Sequence, residues 1–104
     1  MAVELIWQPQ SLADISNIAE FISKESVYYA TIQSEKFFAK AAILETFPFA
    51  GRLVPELGID ELRELAIGPF RLIYYVVSDS RVEVPTIHQS NMLLSNNQRF
   101  KDEQ

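Results

Sequence analysis

Two arginines, Arg63 and Arg71, interrupt the most apolar stretch of the chain, LRELAIGPFRLIYYVV at 62–77. A guanidinium there needs an anion, because its planar fork of N–H donors fits a carboxylate or a phosphate. Arg71 shares its face with Pro69, Ile73 and Tyr75, an otherwise apolar set. It can lay its stem on a sheet and pair with a neighbouring carboxylate such as Glu64 or Glu83. It can instead face a groove and grip an anionic partner. His88 is the only histidine. A catalytic base needs an orienting partner, and the adjacent Gln89, Ser90 and Asn91 bring hydrogen bonds but no charge. Without cysteine, and with one imidazole, no metal site is expected. Tyr28, Tyr29, Tyr74 and Tyr75 read as core and helix packing. They lack the interleaved basic residues of a base-stacking platform. The acidic residues Glu56, Asp60, Glu61 and Glu64 read as a solvated face, since nothing nearby would raise one of their pKa values. No phosphate loop, dinucleotide fingerprint or nucleophile elbow is present, so no cofactor is expected.

The elements that must position these groups follow from pattern. The chain has 104 residues, 48% hydrophobic and 22% charged, with formal net charge -5. That describes one folded domain. A pI near 4.8 opposes nonspecific DNA or RNA binding, which needs clustered cations. The absence of cysteine fits a reducing cytoplasm. No signal peptide is read at the N-terminus and no apolar run is long enough to span a bilayer.

Residues 3–9, VELIWQP, read as a first strand ended by Pro9. Leu12, Ile15, Ile18, Ala19 and Ile22 recur at helical spacing, with Ser11 as N-cap and Asp14 completing an imperfect capping box. A break near Ser26–Val27 starts a second helix that runs to about Thr46. Ala30, Phe37, Ala41 and Leu44 form its stripe, and Pro48 ends it. The short break predicts an antiparallel hairpin. Residues 47–58 read as a loop. Three strands follow at 59–67, 70–77 and 81–89, joined by Gly68-Pro69 and by SDS at 78–80, which makes an antiparallel meander. The strand at 70–77 is apolar on both faces and suits a central position. Pro85 predicts an edge strand or a bulge. The fold class is α+β: an N-terminal strand, a two-helix hairpin and a three-stranded meander, giving a four-stranded sheet with both helices on one face. Residues 1–93 form the domain, and 94–104 a polar tail.

The order of these pieces resembles the RelE/ParE superfamily of bacterial type II toxins over about residues 3–93. The carrying residues are Phe47-Pro48, Gly51-Arg52, Pro55-Glu56-Leu57-Gly58, Leu62-Arg63-Glu64-Leu65, Gly68, Phe70-Arg71 and Tyr74. GRLVPEL followed by REL and the FR pair is similar to the ParE side. The resemblance implies a cognate antitoxin whose C-terminal segment wraps the toxin in a hetero-oligomer. Arg63, Arg71, Arg52, Tyr74 and His88 are then expected to bind partners.

The ParE-like branch implies inhibition of DNA gyrase by protein contact, with no catalytic residue, no direct DNA binding and no membrane. The RelE-like branch implies ribosome-dependent mRNA cleavage, with His88, Arg71 and Arg63 as catalytic candidates. The sequence departs from the nuclease pattern. Gln89, Ser90 and Asn91 stand where nucleases carry basic residues, and a phosphorane without a nearby cation forgoes much of its stabilisation. It departs from ParE too, at Asn91 and Pro85. A protein-binding toxin is therefore the first expectation, an endoribonuclease the second, and a fold that retains only partner binding the third. The acidic balance predicts that the antitoxin's binding segment is net positive or relies on apolar burial.

Overall fold

The structure, a computed structural model, describes residues 3–90. Five strands and two helices run in the order β1 (Glu4–Trp7), α1 (Pro9–Ser23), α2 (Val27–Ala41), β2 (Arg52–Leu53), β3 (Leu62–Ile67), β4 (Phe70–Ser78) and β5 (Arg81–Gln89), with a 3-10 turn at Ala42–Glu45 after α2. The polar tail expected from residue 94, and Asn91, lie outside the described residues.

The first helix begins earlier than the Ser11 cap predicts. Pro9 opens it and Gln8 is the N-cap, because the fixed φ of proline suits the first helical position and its missing N–H has no partner to lose. Ser11 is buried inside the first turn, where its hydroxyl donates to the Gln8 carbonyl at 2.7 Å. The second helix starts as the break predicts, with Ser26 Oγ accepting from the Tyr29 N–H at 3.1 Å. Its α-helical part stops at Ala41. The chain then tightens into the 3-10 turn ahead of Pro48, a common way to finish a helix. Ala30, Phe37, Ala41 and Leu44 are all buried. Leu12, expected on the apolar stripe of α1, is exposed, as are Tyr28 and Tyr29 at the start of α2. Those two rings pack on each other edge-on, with centroids 5.5 Å apart.

The sheet has five strands in the order β1-β5-β4-β3-β2 and is mixed. Two features correct the four-stranded expectation. Arg52 and Leu53 pair antiparallel with Glu64 and Arg63, and a two-residue strand is too short to show alternation in sequence. The first strand pairs parallel with β5, Glu4 with Arg81 through Trp7 with Val84. The meander reverses direction twice, so β5 runs parallel to β3, and β1 lies beside β5 in that same direction. β4 is the central strand, as its two apolar faces predict.

One face packs on the helices. Phe37 meets Phe70 edge-on at 5.3 Å, and Leu72, Tyr74, Val76, Val82 and Val84 complete that core. The other face carries a smaller cluster in which Val54 of the loop packs on Leu62 and Ile73, flanked by Leu57, Ile59 and Tyr75. The loop thus covers part of the face that the helices leave open.

Pro85 sits in an interior strand, and the strand accommodates it by a register shift. Ile73 pairs with Thr86 but Tyr75 pairs with Glu83, so β5 carries an extra residue at this point. Past the bulge β1 has ended, and α1 takes its place. Asp14 accepts from the Thr86 hydroxyl at 2.6 Å and from the Ile87 N–H at 3.0 Å. A side chain read as a capping-box member instead satisfies the exposed edge of the last strand.

Candidate functional site

β4 holds Arg71 between Ala66 of β3 and His88 of β5. The side chain is buried, with 6% of the residue exposed. Its Nη1 and Nη2 donate to the two oxygens of Glu56 at 2.6 and 2.8 Å. Its Nε and Nη2 donate to the two oxygens of Glu64 at 3.1 and 2.5 Å. Both usable edges of the guanidinium are therefore filled by carboxylates in paired contacts. The hydrogen bonds from Glu56, then those from Glu64, hold the Arg71 guanidinium even more firmly protonated than usual, against the opposing effect of burial. Arg52, across the β2–β3 pair, adds a further donor to Glu64 at 3.2 Å. Two arginines and two glutamates make a set of balanced formal charge.

This corrects the solvated-face reading of the acidic cluster for two of its four members. Glu64 is fully buried and Glu56 is partly buried, with 14% of its side chain exposed. The sequence signal was present in the arginine itself, since a buried cation requires buried anions within reach. Spacing alone did not say that Glu56, on the loop, would be one of them.

The opposite face holds a second constellation. Tyr74 is fully buried and its oxygen accepts from the Gly51 N–H at 2.8 Å. Burial raises the pKa of Tyr74, while the Gly51 bond and the charge of Arg63 act against the rise. A Cβ on Gly51 would overlap the Glu64 carbonyl and lie 2.7 Å from the Tyr74 oxygen, so the close approach of loop and strand needs glycine. The Gly51 carbonyl accepts from Arg63 Nη1 at 3.2 Å. The Arg63 guanidinium lies 4.9 Å from the Phe49 ring centroid, within cation–π range. Asp60 stands 3.7 Å from its Nη2.

The five residues expected to meet partners thus divide. Arg71 and His88 lie across from each other on one face of the sheet, while Tyr74 and Arg63 reach Gly51 on the other. Four of them, Arg52, Arg63, Arg71 and Tyr74, are tied to the loop or to the carboxylates that anchor it. Only Arg52 is largely open, with 72% of its side chain exposed. Phe47, Phe49 and Leu53 are exposed on the same loop, a surface the sequence reading passed over. Among the described residues no cluster of His, Asp and Glu could hold a metal. No helix there is long and apolar enough to cross a membrane.

A domain of this topology, with a helical hairpin on a mixed sheet, has relatives among known proteins. The family model described as "ParE toxin of type II toxin-antitoxin system, parDE" matches residues 5–93. The chain belongs to the ParE toxin family. Among solved structures, a chain of the "Chromosomal ParDE TA system from P. aeruginosa" is similar in fold, with a TM-score of 0.69 and 16% identity. The likeness covers 85% of this chain and 96% of that one. No curated protein matches this sequence.

Proposed function

We propose that this chain is a toxin that acts by binding a protein, DNA gyrase, and that a cognate antitoxin neutralises it in a cytoplasmic hetero-oligomer. Family membership supplies the toxin class. The observation that carries the mode of action is the double carboxylate clasp on Arg71. A nuclease of this fold needs a cation free to meet the scissile phosphate. Here the arginine on the sheet face would have to surrender buried ion pairs first, which costs several kcal/mol, about 3–5. Partner contact falls to the exposed part of the loop, Phe47, Phe49, Arg52 and Leu53. Arg63, Arg71 and Tyr74 hold that loop in shape, and His88 stands beside Arg71 on the neighbouring strand.

The test is induction of the chain alone in bacterial cells, with DNA and protein synthesis followed in the first minutes. An early fall in DNA synthesis, with inhibition of purified gyrase by the purified chain, supports this reading. Early arrest of translation with cut mRNA overturns it and moves His88, Arg71 and Arg63 to catalytic roles. Growth without arrest leaves a member of the fold that only binds its partner.

A further inference from the structure

β1 is one edge of the sheet, paired with β5 on its inner side alone. The Glu4 N–H donates to the Ser80 carbonyl at 2.8 Å and the Gln8 N–H to the Val84 carbonyl at 3.0 Å. Residues along a strand alternate in the side to which they turn their main-chain groups, so Glu4, Ile6 and Gln8 face β5. Leu5 and Trp7 turn their N–H and C=O groups outward. Among the described residues those four groups have no hydrogen-bond partner. Edge strands commonly discourage further pairing with a charge, a proline or a bulge. Leu5-Ile6-Trp7 carries none of these.

The two ends of the strand fix what can pair with it. At Val3 the outer side is taken, because its N–H donates to the Glu45 carbonyl at 3.0 Å. At Pro9 the chain turns into α1. The free edge is therefore the span 5–7, which is symmetric about Ile6. When a second copy lies antiparallel against it, Leu5 meets the partner's Trp7, and Trp7 meets the partner's Leu5. Each of those two pairs exchanges two main-chain hydrogen bonds, four in all, about a two-fold axis at Ile6. A register that sets Leu5 or Trp7 opposite itself runs the second strand into one of the closed ends.

Side chains agree with this register. Leu5 and Trp7 pack against the core on the helix side of the sheet, where Trp7 meets Phe38 of α2 at 4.8 Å. Phe38 is 44% exposed. Pairing sets Trp7 across from the partner's Leu5 with Phe38 beside them, an apolar cross-strand contact. On the other side of the sheet Ile6 meets the partner's Ile6. Glu4 falls opposite the partner's Gln8, so no like charges are opposed, and Glu4 has Arg81 at 3.9 Å within its own chain.

We propose that β1 is a homodimer interface, at which two copies join edge to edge across Ile6 into one continuous sheet. The pairing is independent of the target that the toxin binds.

Interfaces of one short strand are small and weak, so sedimentation of the full chain is followed from about 1 µM to about 500 µM. Dimer is expected at the upper end, and monomer throughout overturns the proposal. Ile6→Lys sets two ammonium groups together on the two-fold axis and is expected to abolish the dimer, while Ile6→Val keeps it. A dimer that survives Ile6→Lys overturns the proposal. The chain has no cysteine, so engineered thiols read the register in folded protein. Ile6→Cys places two thiols across a non-hydrogen-bonded pair, with Cα atoms about 4.5 Å apart, within disulfide reach. Glu4→Cys is the control, since its two thiols would be offset by four residues, roughly 13 Å along the strand, and out of reach. Ile6→Cys is expected to form the interchain disulfide at least about tenfold faster, as effective concentration dictates. Equal rates, or faster linkage through Glu4→Cys, overturn the proposal.

Discussion

Arg71 and Glu56 are joined by two hydrogen bonds, 2.6 and 2.8 Å long, between the central strand and a loop fifteen residues earlier in the chain. The pair pins the loop to the sheet face that carries no helix. Because Glu64 shares the same guanidinium, the loop, β3 and β4 meet at a single side chain.

Removing that side chain takes from Glu56 and Glu64 the cation they share. Arg71→Met is expected to lower stability by about 3–5 kcal/mol, read as a fall in the urea midpoint at neutral pH. Glu56→Gln keeps the shape and one set of contacts, so it should cost about 1–3 kcal/mol. A loss for Arg71→Met no larger than that for Glu56→Gln would show that the cluster is not the anchor described.

Tyr74 gives a pH signature. Its pKa lies above the ordinary value of 10.0, chiefly because burial disfavours the phenolate. The folded state therefore holds this proton more tightly than the unfolded state. Its contribution is complete below pH 10 and is lost as pH rises from there through the folded value. Tyr74→Phe should flatten this alkaline loss in melts taken from pH 8 upward. At neutral pH it should cost about 1 kcal/mol for the lost Gly51 bond. An unchanged alkaline slope would remove Tyr74 as its source.

Asp14 stands in for a missing strand. Asp14→Ala strips the Ile87 N–H and the Thr86 hydroxyl of their acceptor. A loss of about 1–3 kcal/mol is expected, and each kcal/mol moves Tm by about 4–8 °C in a domain near this size. Hydrogen exchange at Ile87 should rise with it. A melting temperature within a degree of the parent would contradict the role.

Arg52 should separate stability from binding. Its side chain is mostly exposed, so Arg52→Ala is expected to change stability by no more than about 0.5 kcal/mol. If the exposed loop meets the partner as proposed, the same variant weakens antitoxin or gyrase binding measurably. Unaltered binding to both would move the contact surface elsewhere.

What the sequence revealed depended on how local each signal was. The helical stripe of Phe37, Ala41 and Leu44 and the two-faced strand at 70–77 recur at fixed periods; the strand forms as expected, and the helix ends at Ala41 with Leu44 carried by the 3-10 turn. β2 is only Arg52–Leu53 and has no period to detect. The parallel pairing of β1 with β5 joins segments 77 residues apart, Glu4 with Arg81, and no local pattern encodes it. The charge of Arg71 foretold a carboxylate, and Glu64 is one hydrogen-bonded partner. The second, Glu56, could emerge only from the path of the loop. Tyr28 and Tyr29 misled because aromatic type suggests burial, while their place at the first turn of α2 leaves them on the outside.

The pairing of the first strand with the last also sets a clock. β1 can find its neighbour only after residues 81–84 have been synthesised, and contacts this distant in sequence are late and slow to form. A chain still emerging from the ribosome lacks the strand that closes its sheet. Until residues 81–84 emerge, Glu4–Trp7 has no strand to pair with, and Asp14 has neither the Thr86 hydroxyl nor the Ile87 N–H to hold.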